Sequence, residues 1–78
     1  MAMSELEWLD IFSRNLREIL DEYGMSQAEL ADELGVTQSA VSKYLKGMIM
    51  PSARVLNNIA HVFEVDIYDI LYFGDKVE

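Results

Sequence analysis

Apolar residues recur along this chain at three- and four-residue steps. Leu6, Leu9, Phe12, Leu16, Ile19, Leu20 and Tyr23 form the longest such series, the stripe of an amphipathic helix. Ser4 is placed to cap it, Glu5 and Glu7 occupy the first turn where the helix dipole favours anions, and Gly24 ends it. A narrower stripe of Leu30, Ala31 and Leu34 follows "SQAE" at 26–29. That is a capping box, in which the Ser26 hydroxyl accepts from the Glu29 amide and the Glu29 side chain reaches back. Gly35 stops this second helix. A third is predicted from a Thr37 cap to about Lys46, before Gly47. After "MIMP", Ser52 caps a fourth, with Val55, Leu56, Ile59, Ala60 and Phe63 on its apolar face. Asp66 caps a short fifth that turns Ile67, Ile70 and Leu71 inward. No alternating run is long enough for a strand. Five short helices joined by breaks of two to five residues predict an all-α domain.

At 78 residues the chain is expected to be one domain, 1–78, near the lower end of what folds alone. It has no cysteine, so neither a disulfide framework nor a thiolate metal site can staple it. A hydrophobic fraction of 51% argues for a folded globule over disorder. Met1 to Asp10 holds acids and no basic residue, unlike a signal peptide, and no apolar run approaches the roughly 20 residues of a membrane span. A cytoplasmic protein that engages no membrane is expected.

The third helix carries the chemistry. At about 100° per residue, Gln38, Ser39, Ser42, Lys43 and Lys46 fall within an arc of roughly 140°. Ala40, Val41, Tyr44 and Leu45 occupy the opposite side. One face packs; the other offers an amide, hydroxyls and two cations. Gln suits adenine N6 and N7, Lys suits guanine O6 and N7, and Ser donates or accepts at either. An ordinary solvated face has the same composition, so the wheel alone does not decide. The preceding helix and the short turn Gly35-Val36-Thr37 complete a helix–turn–helix.

At this point the sequence resembles a family. "MSQAELADELGVTQSAVSKYLKG" is similar to the helix–turn–helix of the Cro and phage-repressor type, the XRE family, and "PSARVLNNIAHVFEVDIYDIL" resembles that family's fourth and fifth helices. The resemblance runs from Phe12 to Leu71 without gaps. It implies a five-helix lambda-repressor-like domain, with the helix–turn–helix core at 26–46 and an N-terminal extension at 1–11. It also implies roles. Gln38, Ser39, Ser42 and Lys43 would contact bases, with Gln27 often bracing Gln38. Ser26, Gln27, Thr37, Lys46, Ser52 and, from its neighbourhood, Arg54 would contact phosphates of double-stranded DNA. Ser26, Thr37 and Ser52 have the alternative of acting only as caps.

Two departures stand out. Many members pair an Arg late in the first helix with a Glu in the third; here those positions are Leu20 and Leu45, which are expected to touch. Exchanging a buried ion pair for apolar packing is often neutral or stabilising. After Gly47, where members have basic or small polar residues, this chain has Met48-Ile49-Met50. That loop packs either on its own helices or on a partner protein.

The formal net charge of −8 is unevenly spread. Residues 26–54 balance Lys43, Lys46 and Arg54 against Glu29, Asp32 and Glu33, so the whole excess lies outside them. From Thr37 to Arg54 there are three cations and no acid. Such segregation suits an acidic body with a DNA-facing edge.

Members of the family bind near-palindromic sites as dimers. Tyr68, Tyr72 and Phe73 give the fifth helix an aromatic flank for a homodimer seam, with core packing the alternative. Catalysis has little support. His61 has no Ser, Cys or second His nearby in sequence, and the acidic pairs read as solvated faces. No enzyme activity, cofactor, metal or small-molecule substrate is expected. The competing expectation is a protein-interaction module on the same fold, such as an antitoxin binding its partner protein, with DNA binding secondary or lost.

Overall fold

Each of the first four helices begins at a hydroxyl side chain that accepts a backbone N–H from the first turn, satisfying a donor the helix leaves open. The computed structural model describes residues 4–72, the side chain of Tyr72 excepted. The helices are α1 (Glu5–Tyr23), α2 (Gln27–Leu34), α3 (Gln38–Leu45), α4 (Ala53–Phe63) and α5 (Ile67–Tyr72), with no strand among the described residues. α1 opens on a second capping box, in which the Ser4 amide donates to Glu7 at 2.7 Å and the Glu7 amide to the Ser4 hydroxyl at 3.2 Å. Glu7 therefore caps as well as complementing the dipole. At α5 the Asp66 carboxylate accepts from the Tyr68 amide at 2.9 Å, closing a tight turn into the helix.

α1 packs against α5 and α3, α2 against α3 and α4, and α4 against α5. Their facing stripes meet in one apolar cluster that includes Phe12, Leu16, Leu30, Val41, Ile59 and Ile70, each with no exposed surface. Leu20 and Leu45 are both buried in this cluster, so no charge is left unpaired where they stand. None of the described helices is long and apolar enough to cross a membrane.

The buried arc of α1 differs from the predicted stripe. Leu6 is 77% exposed, whereas Ile11, Ser13 and Asn15 are buried. Only Glu5 to Glu7 at the start of α1 are exposed together; burial begins at Trp8 and Leu9, and the middle of the helix meets the Gly47 loop and α5. Gly47 lies against Ser13, where a Cβ would sit 3.3 Å from the hydroxyl oxygen. Asn15 donates from Nδ2 to the Ile70 carbonyl, so the amide is satisfied by the backbone of α5. Tyr23, at the other end of the stripe, leaves much of its ring in solvent. It stacks edge-on to Phe63, with ring centroids 5.0 Å apart, and its hydroxyl donates to the Phe63 carbonyl at 3.0 Å.

Candidate functional site

The turn between α2 and α3 is built by its glycine. Gly35 has φ +69°, and nothing within 4 Å would obstruct a Cβ; its backbone conformation alone selects glycine. In the Schellman closure of α2, the Gly35 amide donates to Asp32 at 3.3 Å and the Val36 amide to Ala31 at 3.1 Å. Val36 then packs on the core, and the chain is delivered to Thr37, whose hydroxyl accepts from the Ala40 amide at 3.0 Å. This fixes the start of α3 relative to α2.

Burial then divides α3. Val41, Tyr44 and Leu45 are buried and Ala40 half-buried, whereas Gln38, Ser39 and Lys43 are exposed and Ser42 half-buried. The four side chains expected to meet bases therefore share the outward face, with Ser42 at its edge. No hydrogen bond joins Gln27 to Gln38, so the brace that the family resemblance implies is not made in this conformation. Lys46 caps α3 and is exposed, and the chain turns at Gly47, with the Met48 amide bonded to Lys43 at 2.9 Å.

Ser26, Gln27, Thr37, Lys46, Ser52 and Arg54 are all exposed. The hydroxyls of Ser26, Thr37 and Ser52 accept from backbone amides at 3.1, 3.0 and 3.3 Å. A hydroxyl that accepts in a cap keeps its own proton to donate, so the capping role and a phosphate contact are compatible at one residue. Arg17 and Leu20 of α1, the Ser26 cap and Gln27 of α2, and Leu45 and Lys46 line an open groove.

Among the described residues the only salt bridge joins Arg14 to Asp10, at 2.9 Å on α1. Arg17, Lys43, Lys46 and Arg54 have no carboxylate partner. Arg17 lies among the acids of α1, yet its guanidinium donates to the Leu45 carbonyl at 2.6 Å, at the end of α3. Nothing local in the sequence signals a contact across 28 residues.

The apolar loop is split. Met50 packs on the core and Pro51 is buried, but Met48 is 61% and Ile49 41% exposed. On α5, Tyr68 is exposed at 55%, whereas the Tyr72 side chain and Phe73 lie outside the described residues. His61 is exposed near the end of α4.

Comparison with known proteins adds one match. The family model described as "Helix-turn-helix" matches residues 16–70, from the second half of α1 into α5. No curated protein matches the chain.

Proposed function

Because the chain belongs to the helix–turn–helix family of the Cro and phage-repressor type, and is thus a DNA-binding regulator, we propose that it is a repressor that binds a near-palindromic operator as a homodimer. α3 enters the major groove, where Gln38, Ser39, Ser42 and Lys43 read base edges. Ser26, Gln27, Thr37, Lys46, Ser52 and Arg54 hold the flanking phosphates. Tyr68, Tyr72 and Phe73 form the seam between protomers. The family is one of DNA-binding regulators and not ordinarily of enzymes.

One observation carries this reading. In a chain of formal charge −8, Lys43, Lys46 and Arg54 stay free of carboxylates on and beside an outward-facing polar helix. Cations that serve only solubility have no reason to avoid so many acids; cations that meet phosphate do. Selection of bound sites from a random duplex pool, at about 50 mM salt, tests it with Gln38→Ala as control. A two-fold motif that blurs at one symmetric position in the variant supports base reading by α3. No enrichment from folded protein rejects it.

The exposure of Met48 and Ile49 favours a second reading, in which this loop binds a partner protein and DNA binding is secondary. Loss of a co-purifying partner on Met48→Ser with Ile49→Ser, with site selection unchanged, would separate the two roles.

A further inference from the structure

Arg17 stands apart from the other cations of the chain. It lies on the acidic helix α1, yet it makes no ion pair, although Glu18 and Asp21 follow it on the same helix. Arg14, one turn earlier, takes the ordinary course and pairs with Asp10. The guanidinium of Arg17 reaches α3 instead, where Nη1 donates to the last helical carbonyl, that of Leu45. A guanidinium carries five N–H donors in a planar fork, so one bond to a carbonyl leaves the charge and most donors available.

That bond holds the group on the wall of the groove it shares with Lys46, Ser26 and Gln27. Glu18 and Asp21 line the α1 side of the same groove. Arg17, held on the Leu45 carbonyl, and Lys46 place two cations together at the end of α3, and an anion entering the groove is attracted to that end. The groove is open to solvent, so a phosphodiester can approach it with its hydration.

We propose that Arg17, resting on the Leu45 carbonyl, is a DNA-backbone contact that clamps a phosphate together with Lys46 and Gln27. The assignment rests on the DNA-binding reading given above and deepens it. Arg17 serves the duplex in two ways: it braces the end of α3, and it adds one cation to the basic edge. The interface then runs from Arg17 through Lys43 and Lys46 to Arg54. A dimer engages about eight phosphates where three cations per protomer would engage about six.

The test separates bracing from charge. Arg17→Gln removes both the fork and the charge. Arg17→citrulline, made by chemical synthesis of the 78-residue chain, removes the charge and exchanges one NH2 for a carbonyl oxygen, yet keeps an NH2 and the Nε–H to serve the Leu45 carbonyl. Binding to the selected operator duplex is followed by anisotropy from about 50 to 200 mM salt. In both variants the log–log salt slope should become shallower by about 1 per protomer. Over that range the variant dimer then loses roughly tenfold less affinity than the wild type does. The ratio of operator to mismatched-duplex affinity should stay the same, since a phosphate contact carries no base information. A citrulline chain with the wild-type slope would overturn the assignment and leave Arg17 a brace for α3. If the wild-type chain binds no duplex at all, the DNA-binding reading fails and takes this assignment with it. Should Arg17→Gln lose its helical ellipticity, the citrulline chain alone decides.

Discussion

The Arg17 guanidinium and the Leu45 carbonyl, 2.6 Å apart, tie the middle of α1 to the end of α3. The ion pair that the family resemblance implies between these helices would stand where Leu20 and Leu45 are found here. In this chain the two leucines are buried, and the charge has moved one turn back along α1 to bond a backbone oxygen. The acceptor lies at the negative end of the α3 dipole, which favours a cation. Because the arginine is exposed, the link is weaker than a buried one.

Arg17→Ala should therefore lower the unfolding free energy by about 1 kcal/mol. Denaturant melts measure it. Stability unchanged within about 0.3 kcal/mol would mean that the leucine packing holds α3 without help.

Gly47 is under two constraints where Gly24 and Gly35 are under one. All three have positive φ, but only at Gly47 would a Cβ meet other atoms, with the Ser13 hydroxyl at 3.3 Å and the Leu9 carbonyl at 3.7 Å. Gly24→Ala and Gly35→Ala should each cost about 1 kcal/mol from backbone strain. Gly47→Ala should cost about 1 kcal/mol more, since the Ser13 hydroxyl, which donates to the Asp10 carbonyl, must shift. Equal costs at the three sites would show that the loop moves freely off α1.

Glu64 caps α4 with φ 56°, the only non-glycine among the described residues with positive φ. Glycine adopts this conformation without a Cβ penalty and is the usual residue at such an ending. Glu64→Gly should stabilise the protein by about 0.5–1 kcal/mol, raising the thermal midpoint by several degrees. A lower midpoint would mean that the Glu64 side chain makes a contribution larger than its strain.

Among the described residues, Asn15 is the only buried polar side chain that bonds to another helix, through Nδ2 to the Ile70 carbonyl. Asn15→Ala should cost about 1–3 kcal/mol by leaving that carbonyl unpaired. Hydrogen exchange should accelerate most in α5, whose partner is lost. Since Tyr68 and Tyr72 ride on this helix, the dimer proposed above should also dissociate at lower dilution. Uniform acceleration across all helices would contradict a local anchoring role.

The helices and caps were legible in the sequence because they depend on neighbours. Ser26 and Glu29, or Gly35 and Val36, interact within a few residues, and the 3.6-residue repeat shows which side of each helix faces inward. The outward face of α3 could be drawn on a wheel for the same reason. What the sequence did not reveal was the work of α1. Ser13 and Asn15 are buried where the Gly47 loop and α5, from distant parts of the chain, lie against them. Arg17 was hidden likewise, its partner being 28 residues away. The split of the apolar loop, with Met50 packed inward and Met48 and Ile49 outward, has no periodic signature at all.

The unpaired cations have a consequence at a longer range. The molecule measures 36 × 22 × 20 Å, and at physiological salt a charge is felt over only about 8 Å. A duplex approached there senses the edge that carries Arg17, Lys43, Lys46 and Arg54, with Glu18 and Asp21 beside Arg17, while the acids more than a screening length away are hidden from it. At about 0.01 M salt the screening length grows to roughly 30 Å, comparable with the whole molecule, and the duplex begins to sense the net charge of −8. Affinity for DNA, which ordinarily climbs without limit as salt is withdrawn, should then level off and turn downward. This chain would be tuned to bind best at an intermediate ionic strength.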